Sequence, residues 1–286
     1  MKKVAIMTDT VACIPQEKVN EYSIKVIPFH VIMGGKSYVE TEINMNQLYA
    51  WLGKKENLPT TSAPSVGEYL QAYQELSQGA ESILHISLTS AFTMAYSAAI
   101  EAKEMAREEL PQTTIEVIDS QTVCSSELLI VLEAARAAAR GEDLTKVMEL
   151  VNHMILRVNQ LSTRDTLFYL DKGGRIFEAK SWAESENSFR AIVEIDASTG
   201  GVTRPMAKAE TRTQIVEKMV DIAKERVGSK TIHAAIVHAN VPDQAEQLKK
   251  IFLSQCHCDE LYIGDPMAVV AVHNGEGLIE FGFYAN

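Results

Sequence analysis

Residues 59–65 read Pro-Thr-Thr-Ser-Ala-Pro-Ser, a set of small hydroxyls held between two prolines directly ahead of an amphipathic stretch. Pro64 biases Ala63 away from helical backbone, and Ser65 is a favourable N-cap with Glu68 at the capping-box position. Hydroxyls and free backbone N–H groups then converge at the positive end of a helix dipole, where they can hold a carboxylate or phosphate oxygen with neutral donors. The same residues also suit an ordinary capped turn, and both readings stand on this segment alone. Arg175 follows two glycines in Lys172-Gly173-Gly174-Arg175, either as an exposed turn or as a cation that folds back over an opening. His273 could hold an anion or a proton, or make a structural bond at a loop edge. Asp9 and Asp119 each close an apolar run and could pair as acid and base, or serve as loop-formers and caps. Cys256-His257-Cys258 carries ligand atoms, but one short extended stretch cannot wrap a tetrahedral ion and no second ligand pair is evident. Walker, GxGxxG and GxSxG fingerprints do not occur at the expected places.

These side chains need a scaffold, and the hydrophobic pattern supplies one. Apolar runs at 4–8, 83–88 and 115–119 read as buried strands. Position 24–33 reads as a further strand stopped by Gly34-Gly35, with a hairpin resuming at Tyr38-Val39. Helices are expected over 46–54, 66–78, 93–109, 127–140 and 144–161. Alternation of this kind implies parallel βαβ units, whose ligands collect at the carboxyl ends of strands, where Asp9, 87–93 and Asp119 fall. The second half gives strands at 191–196 and 202–206 around a Gly200-Gly201 turn, helices at 213–226 and 243–253, and strands at 232–238, near 261 and at 278–283. The expected fold is α/β with two domains, 1–162 and 163–286, each a mainly parallel or mixed sheet flanked by helices, with a ligand site in the crevice between them.

Composition narrows the function. The chain has 286 residues, 46% of them hydrophobic, and a formal charge of −11, which disfavours nucleic acid and anionic lipid surfaces and leaves any anion to a locally organised site. No apolar run approaches the roughly twenty residues of a membrane span, so stable membrane insertion is not expected. Met1-Lys2-Lys3 leads straight into a strand, and the four cysteines form no CxxC pair. A cytoplasmic protein without disulfides, metal or cofactor is the expectation.

Several segments taken in order resemble the DegV family. Asp9-Thr10-Val11-Ala12-Cys13-Ile14-Pro15 resembles its D-(S/T)-x-x-x-(I/L)-P opening, and 59–65 resembles its PTTSQPS segment. Ile118-Asp119-Ser120, Lys172-Gly173-Gly174-Arg175-Ile176 and His273-Asn274-Gly275-Glu276-Gly277 are similar to its DS strand end, KGGRI loop and H-x-GPG loop. The resemblance covers nearly the whole chain. It implies a non-catalytic two-domain carrier that buries a long-chain fatty acid and presents the carboxylate to a separate kinase subunit for acyl-phosphate formation. It also implies a head-group network at Thr61, Thr93, Arg175 and His273, with Ser62 as neighbour. Thr93 stands where the family usually has Ser, and Met94 replaces a glycine, so its side chain is expected to narrow the site or tilt the head group. Ala271 for Gly and Glu276 for Pro are further departures. The competing expectation is an enzyme acting on a small carboxylate or phosphate through Asp9, Arg175 and His273.

Overall fold

The structure, a computed structural model, describes residues 2–183 and 189–286. Lys2–Asp9 (β1) is buried on both faces from Val4 onward and lies inside a parallel sheet between Lys25–Ile27 (β2) and Ala80–Ser87 (β6), with Thr114–Asp119 (β7) at the far edge. From β1 the chain steps to β2 on one side and later to β6 and β7 on the other, which puts the topological switch at the carboxyl ends of β1 and β6. The expected strand over 24–33 is instead two. Pro28 lacks the N–H that would continue the ladder, and the chain leaves β2 for a small antiparallel sheet of His30–Met33 (β3), Lys36–Val39 (β4) and Thr60–Ser62 (β5). Gly34 and Gly35, both at positive φ, close the β3–β4 hairpin.

Helices Gln16–Tyr22 (α1), Met45–Leu52 (α2), Val66–Ser77 (α3), Ala95–Glu109 (α4), Cys124–Ala139 (α5) and Leu144–Ile155 (α6) accompany the first two sheets. Ser65 and Glu68 form the expected reciprocal cap on α3. The helix expected over 144–161 stops at Ile155. Asn159–Thr163 (β8) is a strand hidden by polar residues, whose Gln160 and Ser162 side chains are both bonded to Glu280. The division expected at 162/163 therefore falls inside β8, and by sheet membership the change-over comes just before Asn159.

The remaining strands complete a six-stranded mixed sheet in the order β10, β9, β8, β13, β11, β12, antiparallel except for the last pair. They are Arg190–Glu194 (β9), Arg204–Ala209 (β10), Ile232–His238 (β11), Cys258–Gly264 (β12) and Ile279–Ala285 (β13). Phe168–Lys172 (α7), Lys180–Ala183 (α8), Arg212–Val227 (α9), Pro242–Gln255 (α10) and Ala268–Asn274 (α11) flank this sheet. Two helices bind the halves together. α5 is buried on almost every side because it lies between β1 of the parallel sheet and β11 and β13 of the mixed one. α11 crosses to the first half and packs on α2, β3 and β5.

Candidate functional site

The loops that follow β1 and β6 open onto a cavity between the two halves. Its walls are mostly apolar, with Val11, Phe29 and Leu88 from the first half and Ile195, Val269 and Val270 from the second. Asp9 fixes the rim from behind. Its carboxylate accepts from the Val11 N–H at 2.9 Å and the Leu88 N–H at 3.1 Å, joining the two strand ends. Asp9 is wholly buried and is not among the residues that line the cavity, whereas Arg175 and His273 are.

Thr61, Thr93, Arg175 and His273 all line this one cavity. Thr61 Oγ1 lies 2.8 Å from His273 Nε2. Thr93 Oγ1 accepts from the Ala95 N–H at 3.3 Å at the start of α4. Arg175 donates from Nε to the Phe92 carbonyl at 2.9 Å and from Nη1 to the Gly173 carbonyl. Ser62 does not join them. β5 is a strand of period two, so Ser62 faces the other way, exposed, and its hydroxyl donates to the Ala63 carbonyl. Met94 is 72% exposed and leaves the cavity unobstructed, contrary to the expectation that it narrows the site. Ala271 is buried inside α11, and Glu276 is an exposed partner of Asn240.

Burial lowers the Arg175 pKa, and among the described residues no carboxylate lies within ion-pair distance of its guanidinium. Burial, and then the Arg175 charge, hold His273 down at about 4. Its Nδ1 is buried with no hydrogen-bond partner among the described residues and faces Gly173, where an added Cβ would stand 2.4 Å away. His273 sits in the last turn of α11, not in a loop. It is therefore neutral at pH 7. An unfolded histidine titrates near 6.5, so the unfolded chain takes up a proton here between about 6.5 and 4 that the folded chain refuses. Its contribution to stability is complete above that window and lost as pH falls through it. In the lipid-free protein the His273 ring resonances should stay constant from pH 8 to 5. A midpoint near 6.5 by NMR would contradict this environment.

Sequence reasoning missed Glu280, Asn274 and Cys124, which also line the cavity. Glu280 is fully buried, its pKa raised by burial, and its carboxylate is held by Ser162 Oγ at 2.9 Å, by Gln160 and by Arg164 at 3.7 Å. A single acid at the centre of Leu278-Ile279-Glu280-Phe281 was the available signal, since a charge inside an apolar strand needs partners.

The family profile described as "DegV: Uncharacterised protein, DegV family" matches residues 3–286. A DegV domain-containing protein of Clostridium perfringens is 30% identical over 273 residues, covering 95% of each chain. Among solved structures, "DegV, a fatty acid binding protein from Bacillus subtilis" superposes with a TM-score of 0.87 at 26% identity, covering 100% of both chains. A DegV family protein of Thermus thermophilus, described by its fatty-acid binding, does so with a TM-score of 0.91 at 22% identity, again over 100% of both.

Proposed function

The chain belongs to the DegV family, and from that footing we propose that it is a fatty-acid carrier that buries the acyl chain between its two halves and holds the carboxylate at Thr61, Thr93, Arg175 and His273. One observation carries the reading. A half-buried guanidinium that among the described residues has only carbonyl acceptors beside it, in a chain of charge −11, has the chemistry to hold an anion. Mostly apolar walls suit a ligand that is mostly hydrocarbon. Burial of the tail is worth about 0.8 kcal/mol per methylene, but a bilayer offers nearly the same gain. Preference for the protein over the membrane therefore falls to the head group, where charge-assisted hydrogen bonds contribute roughly 1.5 to 3 kcal/mol each. The description of the Bacillus subtilis relative as a fatty acid binding protein supports the same class of ligand.

The finer reading is that the held carboxylate is presented to a kinase subunit. A carboxylate oxygen would attack the γ-phosphorus of ATP bound on that partner, giving an acyl phosphate and ADP. Among the described residues no helix is long and apolar enough to cross a membrane, so loading from a bilayer would occur at its surface. Native mass spectrometry of the purified protein tests the carrier reading. The expected result is one long-chain fatty acid per chain, and a cavity that is empty and rejects added palmitate would refute it. Loaded protein mixed with ATP and a lysate fraction containing the kinase should yield a hydroxylamine-trapped acyl product that is absent without the fraction.

Gly173 supplies a sharper test of the head-group assignment. Its φ of −75° suits any residue, so Gly173→Ala puts strain chiefly on the His273 ring that its Cβ would strike, with a lesser squeeze on the Tyr169 carbonyl oxygen at 3.1 Å. Overpacking of this kind costs about 1 to 3 kcal/mol. If the His273–Thr61 pair holds the ligand, palmitate affinity should fall by roughly tenfold. Unchanged affinity in a displacement titration would remove His273 from the head-group site.

A further inference from the structure

α11 carries His273 at its carboxyl end and two cavity-wall residues, Val269 and Val270, nearer its start, yet it has no side-chain cap of its own. The missing acceptor comes from the other half of the molecule. Glu40, 2% exposed and distant in sequence, accepts from the Val269 N–H through Oε2 at 3.0 Å. Its Oε1 accepts from the Phe29 N–H at 3.0 Å and from the Thr10 hydroxyl. Phe29 and Val269 both line the cavity, one in each half.

We propose that Glu40 is the positioning residue of the site: one carboxylate clasps the Phe29 and Val269 walls at a fixed separation and sets where α11 delivers His273 against Thr61. The link to fatty acid rests on the carrier reading above, whereas the clasp itself is a matter of geometry. Both oxygens are acceptors and all three facing groups are donors, so only the carboxylate satisfies them together. In Glu40→Gln the new NH₂ must face a donor, while volume is unchanged.

The experiment reads the clasp at a distance. In lipid-free Glu40→Gln the His273 NMR titration midpoint should rise by a unit or more from about 4 toward 6.5, as the ring loses its dry seat against Thr61. Palmitate affinity should fall about tenfold. Val269→Pro removes the donor and keeps Glu40; proline is tolerated in a first helical turn, and the same His273 shift is expected. A destabilised control, Glu260→Gln, which loosens the surface pair with Arg136, should leave His273 unmoved. If Glu40→Gln fails to fold, Val269→Pro decides alone. A His273 midpoint unmoved in every folded variant overturns the proposal. A shifted midpoint in a protein that never binds palmitate would sink the carrier reading and leave the clasp intact.

Discussion

Arg175→Ala should weaken fatty-acid binding about a hundredfold and Arg175→Lys about tenfold, while neither lowers the thermal midpoint of the lipid-free protein by more than a few degrees. The Arg175 guanidinium is held by backbone carbonyls. Its hydrogen bonds go to the Phe92 and Gly173 carbonyls, and burial already lowers its pKa, so the lipid-free protein bears the cost of desolvating a cation without an ion-pair partner among the described residues. Removing that charge relieves the cost and leaves two carbonyls near water, so stability changes little. Binding loses the only formal cation lining the cavity among the described residues, because His273 is neutral. One charge-assisted bond at roughly 1.5 to 3 kcal/mol corresponds to a loss on the order of 10- to 150-fold. Lysine restores charge but not the planar fork, two of whose nitrogens are spent on fixing its own direction. Isothermal titration with palmitate on delipidated protein measures all three. Affinity of Arg175→Lys within twofold of the parent would mean that charge alone, not geometry, holds the head group.

Arg175 and Thr61 line the cavity, but the family resemblance singled them out, since two glycines before a cation read equally as an exposed turn. The capping box on α3 was legible from the residues themselves, because proline and serine act on their immediate neighbours. Ser62 was misread because hydroxyl-rich composition suggested a converging loop, whereas pairing with β3 turned 60–62 into a strand whose alternate side chains part company. Such pairing is a tertiary event. β8 escaped for a related reason: its polar residues are buried only because Glu280 and the start of α5 satisfy them, and no periodicity reports a partner more than a hundred residues away. α11 is seven residues long, too short to show a period, and its cap comes from Glu40. Three strands of the parallel sheet were legible because 4–8, 83–88 and 115–119 are short and dominated by apolar residues, whereas β2 was merged with β3 into one strand. Of the small antiparallel sheet the β3–β4 hairpin was legible from Gly34-Gly35, but β5 was not, since it is only three residues long and its pairing is tertiary.

Gly282→Ala should destabilise the protein by about 3 kcal/mol, lowering the thermal midpoint by roughly 5 to 10 °C, although the residue touches no ligand group. β13 alternates strictly. Ile279, Phe281 and Phe283 enter the core under α9 and α10, while Glu280, Gly282 and Tyr284 face α5. At the crossing, Gly282 pairs with Ala235 on one side and Gln160 on the other, so the surface under the helix is low. An alanine Cβ at 282 would stand 2.6 Å from the Ser125 carbonyl carbon and from the Ser126 nitrogen. Both are backbone atoms, which cannot rotate aside. Retreat of the helix would stretch the bonds that Gln160 Oε1 accepts from the Ser126 N–H at 2.9 Å and the Ser125 hydroxyl at 3.0 Å. Those bonds stand in for the side-chain cap that α5 lacks. Val123 and Cys124, at the start of the same helix, line the cavity, so the retreat also widens the space for the acyl chain. Loss of stability should therefore come with weaker palmitate binding and a shift toward bulkier chains, measured by urea unfolding and by competition among fatty acids. A Gly282→Ala protein as stable as the parent would mean that α5 is free to slide on the mixed sheet, and that the two halves are not set at a fixed separation by this contact.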